Sequence, residues 1–225
     1  MKKQIWKIMV ICGTTLILSA VCLCVYNINQ SNEAFSKSQN VLAELKNNIP
    51  DEPQTAESST DIFSLPYTET GENPADDLFS LYEKESDAET ETAEPIYIDG
   101  QYYCGYVSLP VLGIELPVMS EWSYPNLQVS PCRYSGIPEN DSFIIAAHNY
   151  NSHFGRIKEL CTGDEIIFTG TDGVHHKYEV NNTELIDGYD VDKMFEGQND
   201  DWDMTLFTCT LSGQSSATVR ADRIN

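Results

Sequence analysis

The 225-residue chain reads as a mainly β protein, a barrel or sandwich with short helices, mounted behind one apolar span and an acidic linker. Three features of the sequence predict this: a charge-free apolar run near the N-terminus, an acidic middle poor in apolar residues, and a last segment of short apolar runs separated by turn signals. They divide the chain into residues 1–26, 27–95 and 96–225.

Lys2, Lys3 and Lys7 precede a run from Ile8 to Tyr26 that carries no charge. At 1.5 Å per residue its nineteen residues extend about 28 Å, close to the hydrocarbon thickness of a bilayer. No basic residue follows until Lys37, so the positive-inside bias keeps the N-terminus cytoplasmic and sends the rest of the chain outside. A cleaved signal peptide is the alternative, but the run is longer than a usual signal core and Ala20-Val21-Cys22 is a poor cleavage site.

Residues 27–100 carry 17 Asp and Glu against three Lys, with Ser, Thr and Pro scattered from Asp51 to Pro95. Such a segment buries too little apolar surface to fold alone, and the expectation is a largely disordered, solvated spacer. Two stretches depart from that composition. Phe35, Val41, Leu42 and Leu45 share one face of a helix written over Glu33–Asn48, and Leu78–Tyr82 is a short apolar patch.

From about Ile96 the texture becomes that of one domain. Strands are expected near Gly105–Pro110, Glu115–Val118, Ser142–Ala147, Glu165–Thr169, His176–Ile186, Met204–Cys209 and Ala217–Arg223, with helical pieces only at His153–Leu160 and Asp190–Phe195. Seven or so strands at this spacing make a barrel or sandwich.

Composition and spacing remove several function classes. A net charge of −22 repels nucleic acid, and no glycine-rich phosphate loop is present. His148-x4-His153 and His175-His176 lack the spacing of a zinc site, so neither a metal nor another cofactor is implied. Outside the span lie Cys104, Cys132, Cys161 and Cys209. They allow two disulfides, or at most one pair if Cys209 is reactive; otherwise the first three read as small packing residues. His153, His175 and His176 read as surface residues, and Trp122 and Tyr124 as packing beneath a loop. Arg220 and Arg223 read most simply as solvent-facing charges on a last strand.

What remains is a thiol and an imidazole, each at the end of an apolar strand: Thr205-Leu206-Phe207-Thr208-Cys209-Thr210 and Ile144-Ile145-Ala146-Ala147-His148-Asn149. Together they are the minimum equipment for covalent acyl transfer. With Phe154-Gly155-Arg156-Ile157 between them, and Gly105–Pro110 and Leu112–Val118 as opening strands, the stretch from about Tyr102 to Ile224 resembles a sortase. That resemblance implies an eight-stranded β-barrel and a membrane-anchored cysteine transpeptidase of mostly Gram-positive bacteria. Its partners would be secreted proteins with a C-terminal Leu-Pro-x-Thr-Gly-like sorting signal, and an amine from a peptidoglycan precursor or a pilin.

Carried over by motif, the resemblance puts the nucleophile on Cys209, the acid–base on His148 and peptide contacts on Thr208 and Ser216. The family's third catalytic residue is an arginine on the next strand. Matching Ser216-Ala217-Thr218-Val219-Arg220-Ala221 to the family stretch places Ser216 where that arginine belongs, and serine supplies neither a cation nor a forked pair of donors. Residues 101–225 hold 7 basic and 18 acidic side chains, a net −11 that works against a thiolate. Arg220 is the first substitute, on the same strand face as Ser216 but about 13 Å along it; Arg133 and Arg156 follow.

Two readings of different class therefore stand: a working transpeptidase with an unusual cation, and an impaired sortase-like domain that binds sorting signals or wall machinery. A wall-directed cysteine peptidase or L,D-transpeptidase is a third, and it lacks its usual Ser/Thr-His-Gly before the cysteine. The family's larger class B form fits imperfectly, because no long insertion precedes the cysteine strand. Peptide choice is expected to depend on the loop Asp187–Trp202.

Overall fold

The computed structural model describes residues 2–50, 93–188, 190, 192–195, 201–210 and 213–224. The apolar patch Leu78–Tyr82 lies outside the described residues, as does part of the loop Asp187–Trp202. One long helix, α1 (Lys2–Asn48), leads to strands β1 (Ile96–Ile98), β2 (Gln101–Leu109) and β3 (Ile114–Met119). A single-turn helix α2 (Tyr124–Leu127) precedes β4 (Cys132–Ser135) and β5 (Phe143–Ala146). Then come β6 (Glu165–Gly170), β7 (His175–Asp187), the short helix α3 (Asp192–Phe195), β8 (Met204–Cys209) and β9 (Ser215–Ile224).

Hydrogen bonding runs in the order β2-β3-β4-β5-β8-β9-β7-β6, and β6 pairs back onto β2, which closes an eight-stranded barrel. β1 hairpins onto β2 outside that ring. The β3–β4 and β5–β8 contacts are parallel and the others antiparallel, so the barrel is mixed. Closure brings β2 and β6 close together at Gly105, where an added Cβ would lie 2.1 Å from the Thr169 carbonyl oxygen; glycine is required there.

All seven expected strands are present, with ends shifted by a few residues. β1 and β4 were not among them. β1 has three residues and β4 has four interrupted by a bulge between Arg133 and Ser135, too short for alternation to register. His153–Leu160 proves to be turns ending in one 3-10 turn, Ile157–Glu159, and the helix before β8 is confined to Asp192–Phe195.

Alternation along the strands builds two cores. Val107, Leu109, Leu116, Val118, Phe143, Ile145, Phe168, Tyr178, Leu206 and Val219 fill the barrel. Ile144, Ala146, Ile186 and Phe207 point outward and are covered by Met194, Trp202 and Leu127. β5 is therefore buried on both faces, which is why it reads as the unbroken run Phe-Ile-Ile-Ala.

α1 changes the picture of the linker. Helix continues without interruption through Asn48, and Ala34, Ser38, Val41, Leu42 and Leu45 are buried against the barrel, while Phe35 stays exposed. Spacing of three and four residues puts these buried positions on one stripe. Lys46 pairs with Glu115 at 2.6 Å, lies over the Tyr106 ring, and Gln39 donates to the Glu115 carbonyl at 2.8 Å. The apolar face read over Glu33–Asn48 is thus a docking face, Phe35 excepted.

Candidate active site

β5 and β8 run parallel in register, Ile144 beside Thr205, Ile145 beside Leu206 and Ala146 beside Phe207; the Ala147 amide continues the pairing by donating to the Phe207 carbonyl at 3.1 Å. Two residues beyond Ala146 is His148, and two beyond Phe207 is Cys209. The ladder thus brings the strand ends that lead to the imidazole and the thiol together at one end of the barrel. Within β8, Met204 and Leu206 face the barrel interior, so Thr205, Phe207 and Cys209 share the outer face.

The antiparallel β8–β9 ladder sets what faces the thiol. Cys209 is opposite Ser216 and Thr205 is opposite Arg220. Serine occupies the position across from the thiol. Burial pushes the Cys209 thiol up from its ordinary value, while a hydrogen bond with the Ser216 side chain pulls the other way. Burial also lowers the His148 imidazole, so at neutral pH the resting pair is a thiol and an uncharged ring.

Arg220 is placed elsewhere. It is 4% exposed, and its guanidinium donates to the Glu184 carboxylate at 3.1 Å, to Thr205 Oγ1 at 2.7 Å, and to the carbonyls of Met194 and Lys193 at 2.8 and 2.7 Å. It also stacks 4.5 Å over Trp202. These contacts fasten α3 and the loop before β8 to the sheet, four residues along the strand from Ser216. Neither Arg220 nor Arg223 is the solvent-facing charge expected of a last strand; Arg223 bonds Asp141 at 2.6 Å and His176 at 3.0 Å at the opposite end of the barrel. Arg133 donates to the Ser120 carbonyl, and Arg156 pairs with Glu159. Each of the domain's four arginines is thus engaged with another partner.

Thr208 is 3% exposed and in phase with Leu206, so its side chain points away from the face that carries Cys209. Ser216 is on the thiol's face. Tyr124 and Tyr150 flank His148, with ring centroids 6.5 and 4.3 Å from the imidazole. Sequence reasoning gave Tyr124 only a packing role and did not single out Tyr150; an aromatic two residues after the histidine was the available signal. Trp122, Tyr134 and Phe207 form an aromatic cluster, Tyr134 lying 5.5 Å from Trp122 and 5.2 Å from Phe207.

The remaining expectations for side chains are partly revised. His153 is fully buried and His176 nearly so, where both were expected at the surface. His153 sits edge-on to Tyr150 at 5.5 Å, neither ring nitrogen has a hydrogen-bond partner, and burial with the nearby His148 lowers it to about 4. Cys104, Cys132 and Cys161 are free thiols; Cys132 is held up at about 12 by burial, which makes it an inert packing residue.

A closed eight-stranded barrel, with a thiol and an imidazole at the ends of paired parallel strands, defines a cysteine acyl-transfer scaffold. The sortase domain profile matches residues 107–224, just over half the chain, and the protein belongs to the sortase family. Among solved structures it is similar to sortase C1 from Streptococcus agalactiae, at 27% identity and a TM-score of 0.50 over 57% of this chain and 71% of that one. It is also similar in fold to sortase C from Streptococcus pneumoniae, at 20% identity and a TM-score of 0.51 over 67% of this chain and 88% of that one. A comparison with curated protein sequences gives no match.

Proposed function

We propose that the protein is a membrane-anchored sortase-type transpeptidase in which Cys209 is the nucleophile and His148 the acid–base. The observation that carries this reading is the parallel β5–β8 register, which ends the histidine-bearing and cysteine-bearing segments at the same end of the barrel. Because the resting pair is uncharged, His148 first takes the Cys209 proton as the sulfur attacks the carbonyl carbon of the substrate peptide bond. The tetrahedral intermediate expels an amine, which leaves with the proton returned by His148, and a thioester to Cys209 remains. An incoming amine then loses a proton to His148, attacks the thioester and regenerates the thiol. By family, the substrate is a secreted protein with a C-terminal sorting signal, and the incoming amine belongs to a peptidoglycan precursor or a pilin. The apolar half of α1 is the anchor, with residues 96–225 as the catalytic domain on the outer side.

In this reading Arg220 holds the loop before β8, and Thr208 touches substrate only through its backbone. One observation supports a second reading, a sortase scaffold that binds sorting signals with little turnover. Ser216 stands across from the thiol where the family has arginine, and the other arginines are engaged elsewhere. Losing one preorganised oxyanion donor costs about 10²–10³ in rate.

Intact-mass measurement of the full chain in detergent, incubated with Leu-Pro-x-Thr-Gly-like and Asn-Pro-x-Thr-like peptides, tests both. A Cys209-dependent adduct on the native chain supports the transpeptidase. An adduct on Ser216→Arg alone supports the impaired scaffold, and none on either chain counts against the transpeptidase.

A further inference from the structure

α1 is one helix with two environments. Its apolar window is not buried by any of the described residues, and Ile11, Leu16, Val21, Val25, Tyr26 and Ile28 are all exposed. From Ser31 onward the buried stripe begins, at Ala34, Ser38, Val41, Leu42 and Leu45. No glycine or proline occurs between Gly13 and Pro50, so nothing in the sequence breaks the helix at the changeover.

The docked half is strapped to the barrel along its length. At its C-terminal end the Pro50 carbonyl lies so close to Gly173, in the turn between β6 and β7, that an added Cβ there would come within 2.6 Å. Lys46 and Gln39 hold Glu115 in the middle. At the start of the stripe the Ser31 hydroxyl is 3.1 Å from that of Ser152. Ser152 lies in the segment that follows His148, and Tyr150 packs 4.3 Å from the His148 ring. Burial, then the phenols of Tyr124 and Tyr26, push the Tyr150 hydroxyl up from its ordinary value. The point at which the helix leaves its apolar surroundings is therefore beside the site, and the far end of the barrel is beside Pro50.

Taking the apolar half of α1 as membrane-embedded, as proposed above, we infer that the helix is a rigid strut that plants the His148–Cys209 end of the barrel against the lipid headgroups. The partner surface is the membrane itself. Tyr26 is an interfacial aromatic, and Ser31 lies about 7.5 Å further along the axis, comparable with the thickness of one headgroup layer. The barrel, net −11 over residues 101–225, gains nothing from electrostatic attraction to an anionic surface, so a stiff mechanical link is what brings the site there. Substrates would then be those whose scissile bond emerges within about 10 Å of the bilayer, rather than peptides projecting far into the wall.

The test uses the full chain in nanodiscs of equal parts phosphatidylcholine and phosphatidylglycerol, with Cys12, Cys22, Cys24, Cys161 and Cys209 replaced by serine so that the nitroxide goes only to a cysteine introduced at the chosen position. A nitroxide is placed at Asn151, which follows β5 at the site end, or at Asn140, which precedes β5. Collision with oxygen, which partitions into lipid, is compared with collision with a water-soluble nickel chelate. The expected result is a label at 151 shielded from the chelate severalfold relative to 140. A Gly-Ser-Gly-Ser insertion after Asn27, which leaves the Ser31–Ser152 contact in place, should abolish that difference. Equal accessibility at the two positions in the uninterrupted chain would overturn the inference, and so would a mature chain whose mass lacks the apolar span. Neither result bears on the Cys209 adduct assay, which needs no lipid, so failure of the strut and failure of the transpeptidase reading are separable.

Discussion

On the shared β8–β9 ladder, Cys209 faces Ser216 and, four residues along, Thr205 faces Arg220. Both pairs are on the outer face of the barrel. At the first, a thiol has a neighbouring hydroxyl and a raised pKa; at the second, a guanidinium is buried with four hydrogen-bond partners and a stacked indole. The comparison teaches that a strand position, not the presence of an arginine in the motif, decides whether a cation serves chemistry or architecture. About 13 Å of extended chain separates the two positions, and Arg220's donors are already spent.

The strongest way to break this comparison is to remove its reactive half. Cys209→Ala should eliminate thioacyl adduct formation with any peptide, and His148→Ala should slow it by about 10²-fold or more, both read by intact mass against time.

Next is the architectural half. Arg220→Ala leaves the Glu184 carboxylate and the carbonyls of Lys193 and Met194 without their donor, and should cost about 3 kcal/mol in denaturant unfolding. If Arg220 were instead the catalytic cation, adduct formation would collapse while the unfolding midpoint stayed in place.

The imidazole side of the site gives a smaller effect with a definite sign. His153 titrates near 4 when folded and near 6.5 when unfolded, so its burial costs nothing above about pH 6.5 and destabilises progressively as pH falls toward 4. At pH 5 the penalty is about 2 kcal/mol. His153→Phe should recover that amount at pH 5 and little at pH 7.5, measured by chemical denaturation at both; identical acid sensitivity in the two chains would show that His153 is not the group responsible.

The mildest change sharpens the contrast. Ser216→Arg puts a cation across from the thiol, and should increase adduct formation at neutral pH by about tenfold, less than the full value of a preorganised oxyanion donor. Because the native thiol is raised, its rate should climb with pH through and beyond pH 8, and the arginine variant should carry that rise to lower pH. A pH–rate profile unchanged by the substitution would mean that residue 216 does not face the reacting sulfur.

Much of this was legible in the chain. The seven strands announced themselves because alternation and continuous apolar runs have a local physical cause, and the Cys209 and His148 motifs each lie in one such strand. Arg220's partners were not legible, because Glu184, Lys193 and Met194 come from segments 26 to 36 residues away. His153 looked like a surface residue for a related reason: nothing local distinguishes a histidine in a turn from one that the fold tucks under Tyr150. The stripe of α1 was legible from its helical spacing at Val41, Leu42 and Leu45, but not its partner, and Phe35 on the same reading stays exposed.

The sequence by itself determined the β class, the apolar helix and the family, because each depends on period, composition or a contiguous motif. Only the tertiary structure decided that the two strands leading to His148 and Cys209 pair in parallel register, that Arg220 belongs to the scaffold, and that the start of the docked stripe of α1 lies against Ser152. These are relations between segments distant along the chain, and they are set by which faces pack and which hydrogen bonds close once the barrel has formed.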